Sequence, residues 1–160
     1  MTNVEWRYGE EIPSHHIEAF EAEFGVQLPP SFKEVARQHN GAIPFPDGVA
    51  FPRPSAPGGR DVLGLGELFS FVPREDGVSP IAEINRRYRE AYPGFIVFSE
   101  AGNGWHFAFE YQPGKEEHPV VLFLFEHMST SGCLEVAHSF DDLVAGFVAG
   151  DEDELPAPEA

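Results

Sequence analysis

The sequence predicts an α+β fold: a single domain with an N-terminal helical hairpin, an antiparallel β-sheet meander with helices packed on it, and a C-terminal helix. Three observations carry that expectation. Apolar residues recur at helical spacing through the first forty residues, alternate at period two through much of 95–138, and the alternating runs are separated by Gly-Asn-Gly and Pro-Gly turns. At 160 residues the chain is long enough to bury about two-thirds of its unfolded surface in one core.

The first helix lies in PSHHIEAFEAEFG. Ser14 stands at the N-cap, Ile17, Phe20 and Phe24 fall at i, i+3 and i+7, and Gly25 stops it. The second, in LPPSFKEVARQHNG, opens at Pro30 or Ser31, turns Phe32, Val35 and Ala36 to one face, and ends at a left-handed Asn40-Gly41. Their short connection makes a hairpin. Residues 41–61 hold five prolines and four glycines, which cannot sustain a helix or a central strand, so a long irregular loop is expected, with Phe45 and Phe51 folded back onto the domain.

VLGLGELFSF (62–71) reads as a strand or short extended segment. SPIAEINRRYREAYPG gives a third helix, with Ser79 as N-cap, Pro80 first and Gly94 closing it. Arg86, Arg87 and Arg89 sit in its last turns, where the helix dipole favours cations. Four strands follow: FIVFS, WHFAFEY, PVVLFLFEH and CLEVAHS. In WHFAFEY the aromatics Trp105, Phe107, Phe109 and Tyr111 form a core face, with His106, Ala108 and Glu110 on a half-exposed opposite face. PVVLFLFE is apolar on both faces and should lie centrally, covered twice. The last helix starts at a Ser139–Asp142 capping box and runs through Phe140, Leu143, Val144, Phe147 and Val148. The domain is assigned to 1–150, and 151–160 (DEDELPAPEA) to an acidic disordered tail.

Charge narrows the partners. Twenty-seven acids against ten Lys and Arg give −17, and the tail holds only five of those acids. Such a field repels nucleic acid and anionic membranes, and steers basic proteins inward. No run approaches the ~20 apolar residues of a membrane span, and MTNVEWRYGEE has neither the basic nor the apolar part of a secretory signal. The one cysteine, Cys133, read as a small residue at a strand edge, excludes an internal disulfide and suits a reducing, cytoplasmic location.

Catalytic signals are weak. His15 and His16 are adjacent, so on a helix they diverge by about 100°, and His106 and Glu110 lie roughly 13 Å apart along a strand. No G-x-S-x-G elbow occurs, and Gly64-Leu65-Gly66 lacks the third glycine or lysine of a phosphate loop. The loop Ala101-Gly102-Asn103-Gly104 precedes a strand, whereas a phosphate cradle precedes a helix N-terminus. It is read as a turn. No cofactor, metal site or catalytic residue is expected.

Taken in order, several stretches resemble the SUKH superfamily, which includes fungal cell-wall-synthesis regulators of SMI/KNR type. They are IEAFEAEFGVQLPPSFKE (17–34) followed by Asn40-Gly41, then Leu65, Leu68 and Ser70, then Phe95–Phe98 followed by Gly102-Asn103-Gly104. Phe109-Glu110-Tyr111, Pro119-Val120-Val121, Glu126-His127 and Ser139–Leu143 continue the resemblance, which spans about residues 12–149. Asn103 stands where many members carry Asp, and the 41–61 loop is longer than the usual connector. The resemblance implies a non-catalytic α+β domain. It also implies a protein partner: a polymorphic toxin, often a nuclease, neutralised by an immunity protein, or alternatively signalling partners of an intracellular adaptor. The expected partner-binding residues are Asp47, Glu75, Asp76, Glu100, Asn103, Glu116 and Glu117, on the variable loop and the sheet rim.

Overall fold

The computed structural model of the chain describes residues 4–52, 60–73, 80–102, 104–123 and 133–149. In chain order the elements are β1 (Glu5–Arg7), α1 (His15–Phe24), α2 (Pro30–Gln38), β2 (Ile43–Phe45), β3 (Gly48–Pro52) and β4 (Arg60–Leu68). After them come α3 (Ile81–Tyr88), β5 (Phe95–Ala101), β6 (His106–Glu110), β7 (Val120–Phe123), β8 (Cys133–Ala137) and α4 (Phe140–Ala145). Strands β3 to β8 form one six-stranded antiparallel meander in sequence order, and β1 pairs with β2 in a separate two-stranded ribbon. Cα atoms of the edge strands β3 and β8 come within 8 Å of each other, so the meander is strongly coiled.

The helices follow their apolar spacing, with corrections at their ends. Gly25 terminates α1 in the left-handed region (φ 67°), its N–H returning to the Glu21 carbonyl. Pro30 occupies the first position of α2, but that helix is capped by His39 rather than by a left-handed Asn40-Gly41. Asn40 is drawn into the interior instead, and Gly41 (φ 80°) turns the chain after it. The N-cap of α3 is Pro80, not Ser79, which lies outside the described residues. Arg86 and Arg89 at its end do more than complement a dipole. Arg86 forms a bidentate pair with Glu23 of α1, and the Arg89 guanidinium lies 5.1 Å from the Phe24 ring centroid.

The Ser139 hydroxyl accepts from the Asp142 N–H at 3.1 Å, as a capping residue should. Helix α4 nevertheless ends at Ala145, short of the predicted Val148. The chain leaves the helix because Val148 pairs with Gly48 through two backbone hydrogen bonds (2.7 and 2.9 Å), closing the outer edge of β3.

The proline-rich segment is also more ordered than expected, contributing β2 and β3. Both are edge strands, where proline's missing N–H breaks no interior ladder: Pro44 lies opposite Trp6 in the ribbon, and Pro52 ends β3. Residues 53–59 lie outside the described residues.

Strand β6 is more buried at its centre than the half-exposed strand predicted. Phe107, Ala108 and Phe109 are all fully buried, and His106 packs against Phe69 and Tyr88, with ring centroids 5.8 and 6.1 Å away. Period-two alternation marked the core face correctly; on the opposite face Ala108 is fully covered, while His106 and Glu110 are half-buried as expected. Strand β7 is covered on both sides as expected, with Val120, Val121 and Leu122 all buried. The core centres on four phenylalanines from four elements. Phe98 (β5) stacks on Phe109 (β6) at 4.3 Å, and Phe32 (α2) meets Phe98, Phe109 and Phe140 (α4) edge-on at 5.1–5.4 Å.

Buried polar side chains complete the backbone where strands run out. Strand β4 ends at Leu68, opposite Ser99, so it offers Val97 of β5 no ladder partner. Asn85 of α3 takes that place: it accepts from Val97 N–H at 2.8 Å and donates to Val97 C=O and Ile81 C=O, each at 2.9 Å. Asn40 does the equivalent after β4, donating to the Ser70 hydroxyl (2.9 Å) and accepting from Phe71 N–H (2.8 Å).

Candidate functional site

The sheet register separates the acids singled out from the sequence into two groups. One gathers where β5 turns into β6. Glu100 is exposed there, opposite the half-buried His106, whose pKa is lowered by burial. Asp47 lies at the same end, its carbonyl accepting from Leu65 N–H at 2.8 Å and its carboxylate leaning over Gly64. The glycines of this end serve close packing. Gly102 N–H donates to Gly64 C=O at 3.0 Å, and a Cβ on Gly66 would stand 2.9 Å from the Glu100 carbonyl oxygen. Gly104 (φ 92°) closes the turn onto the Ala101 carbonyl. Both glycine motifs therefore have a structural cause. Asn103, Glu75 and Asp76 lie outside the described residues.

The second group lies at the opposite end. Glu116 and Glu117 are exposed in the β6–β7 turn, which leaves β6 after Glu110 rather than at His106. The length of β6, roughly 14 Å at the strand rise, separates the two ends. Here the turn, the start of α2 and the start of α4 enclose a cleft of about 310 Å³. Glu116, Glu117 and His118 form one wall, Pro29, Pro30 and Ser31 another, and Ser139, Phe140 and Asp141 the third.

Aromatic and polar contacts fix the wall of this cleft. The His118 ring lies 3.9 Å from that of Tyr111, and burial lowers the His118 pKa. The Tyr111 hydroxyl donates to the Gln27 carbonyl at 2.9 Å, and burial, reinforced by the Glu21 charge, pushes its ionisation up. Glu21 in turn accepts from Leu28 N–H at 2.7 Å and pairs with Lys33 at 3.1 Å, fixing the connection that leads into Pro29. Among the described residues, Glu116, Glu117 and Asp141 have neither an ion pair nor a side-chain hydrogen bond.

Sequence reasoning placed Glu116 and Glu117 on the surface but missed Asp141 and His118 beside them. Asp141 reads from sequence as a first-turn acid of a capped helix, and nothing local connects it to a turn more than twenty residues earlier. His15 and His16 also differ from expectation. Their rings lie 4.1 Å apart, because side-chain rotation at the exposed start of α1 brings adjacent imidazoles together despite diverging Cβ directions. Among the described residues, no three His, Cys, Asp or Glu side chains gather as metal ligands would. No helix among them is long and apolar enough to cross a membrane.

A coiled antiparallel meander whose central strands are buried on both faces, with helices packed on it, defines an α+β domain. The chain belongs to the SMI1 / KNR4 family (SUKH-1), whose family model matches residues 12–146. That membership is consistent with a protein-binding module of the toxin-immunity type. No curated protein matches the chain.

Proposed function

We propose that the chain is a non-catalytic immunity protein that neutralises a cognate polymorphic toxin, a basic nuclease domain being the favoured class, by binding it and covering its active site. The surplus of exposed, unpaired carboxylates carries this reading. With a net charge of −17 and free acids in the β6–β7 turn and at α4, the surface complements a protein that itself binds phosphates. Asp47, Glu75, Asp76, Glu100, Asn103, Glu116 and Glu117 are the residues proposed to contact it. The family fits the same role, since its domains are generally of non-catalytic, immunity type.

Co-purification with the product of the adjacent gene tests the reading directly. Stopped-flow association should then be fast at low salt and fall steeply as salt rises. Pooled charge reversal of the six acids should slow association and flatten that salt dependence. Failure to capture a toxin domain, or association indifferent to both salt and charge reversal, would overturn the proposal.

A further inference from the structure

The two acidic ends are not equivalent. At the β5–β6 end, β4 packs closely on the backbone of Glu100, a Cβ on Gly66 standing 2.9 Å from the Glu100 carbonyl oxygen. The other end has a cleft of about 310 Å³, the volume of a long side chain with room for water. Its walls are Pro29, Pro30 and the first residues of α4, and its rim carries Glu116, Glu117 and Asp141. Within the described residues none of the three carboxylates is neutralised by a neighbour. Burial lowers the pKa of His118, on the wall behind them, which disfavours a counter-charge from that side. Lys33, the cation near the start of α2, is already held by Glu21 at 3.1 Å.

We infer that this cleft is the anchoring pocket of the binding surface and takes an arginine side chain of the partner. Resting on the proposed function, the inference names the group that the surface recognises. A guanidinium suits the site because its flat, weakly hydrated faces lie well against the proline walls, while its N–H groups fan out to several carboxylates at once. The same chemistry makes arginine a frequent anchor at protein interfaces, and one abundant in proteins that bind nucleic acid.

Titration of the ¹⁵N-labelled full chain with N-acetyl-arginine methylamide, and with the uncharged isostere N-acetyl-citrulline methylamide, tests this. Arginine should produce saturable shifts confined to the β6–β7 turn and the starts of α2 and α4. Citrulline, or the triple variant Glu116→Gln/Glu117→Gln/Asp141→Asn, should weaken the response by about fivefold or more. Equal responses to arginine and citrulline, an undiminished response in the triple variant, shifts centred on Glu100, or no saturable shift would each overturn the cleft assignment. Those results leave the capture experiment on the whole partner untouched. Conversely, a normal arginine titration with no toxin captured supports the pocket and removes the proposed function.

Discussion

Asn85→Ala is the sharpest test of how the meander is held together. Asn85 is 2 % exposed, and its side chain is the hydrogen-bond partner of both Val97 N–H and Val97 C=O. Truncation leaves these two buried backbone groups unpaired, since β4 has already ended and helix α3 bars water from that side. An unsatisfied buried donor or acceptor costs about 1–3 kcal/mol, so the two together should cost roughly 2–6 kcal/mol. That is a large share of the ~5–15 kcal/mol by which domains are usually stable. For a chain of this length, about 3 kcal/mol corresponds to a fall in Tm of roughly 6–12 °C.

Urea unfolding followed by tryptophan fluorescence and far-ultraviolet circular dichroism would measure the loss. The m-value should be unchanged. Arg87→Ala, an exposed neighbour on the same helix, should lie within about 0.5 kcal/mol of the parent protein. Asn85→Asp keeps an acceptor for Val97 N–H but buries a carboxylate against the Val97 and Ile81 carbonyls, and at neutral pH should be at least as destabilising as Asn85→Ala. Hydrogen exchange at the Val97 amide should accelerate in Asn85→Ala more than at Ala108 beside it. A loss below about 1 kcal/mol, with Val97 still protected, would refute the idea that a side chain replaces the missing strand.

Phe109→Ala removes the ring stacked on Phe98 and should cost about 3–5 kcal/mol in the same unfolding assay; a loss under about 2 kcal/mol would show that the four rings are not the centre of the core. Gly66→Ala brings a Cβ to 2.9 Å from the Glu100 carbonyl oxygen, whereas the nearest atoms to one on Gly102 stand at 3.9 Å, so Gly66→Ala should be clearly the more destabilising of the two. Burial lowers the pKa of His118 and of His106, so the unfolded chain takes up their protons first as pH falls. Their contribution is present above pH ~6.5 and is lost as pH drops through the lower folded values, so the urea midpoint should fall between about pH 7 and pH 5. His118→Gln should flatten that slope, and an identical slope in the variant would sink the assignment.

The difference between the two acidic ends bears on how the domain would hold a partner. The backbone of Glu100 lies where Gly66 is required by the close approach of β4 and β5, so its surroundings are constrained by folding. The β6–β7 turn carries no such load, and α2 and α4 approach it only through their first turns. Rims of this second kind tolerate changes in charge and shape without disturbing the core, which suits a surface matched to one partner.

Much of the fold follows from the sequence alone because its causes are local. Helical spacing of Ile17, Phe20 and Phe24, the Gly25 stop, the Ser139 cap and the period-two run from Trp105 to Tyr111 each depend on neighbours a few residues away. The resemblance drawn from such stretches agrees with the family that matches residues 12–146. What the tertiary structure alone decided are pairings across long separations. Asn40 looked like a helix stop until Ser70 and Phe71 claimed its side chain, and Val148 looked helical until Gly48 required an edge partner. Proline-rich 41–61 looked irregular because a sequence does not reveal which strand will be an edge. The surface acids divided for the same reason: charge is a property of composition, but which carboxylates share a cleft is set by sheet register. Glu116, Glu117 and Asp141 meet only because β6, β7 and β8 bring the start of α4 back beside the β6–β7 turn.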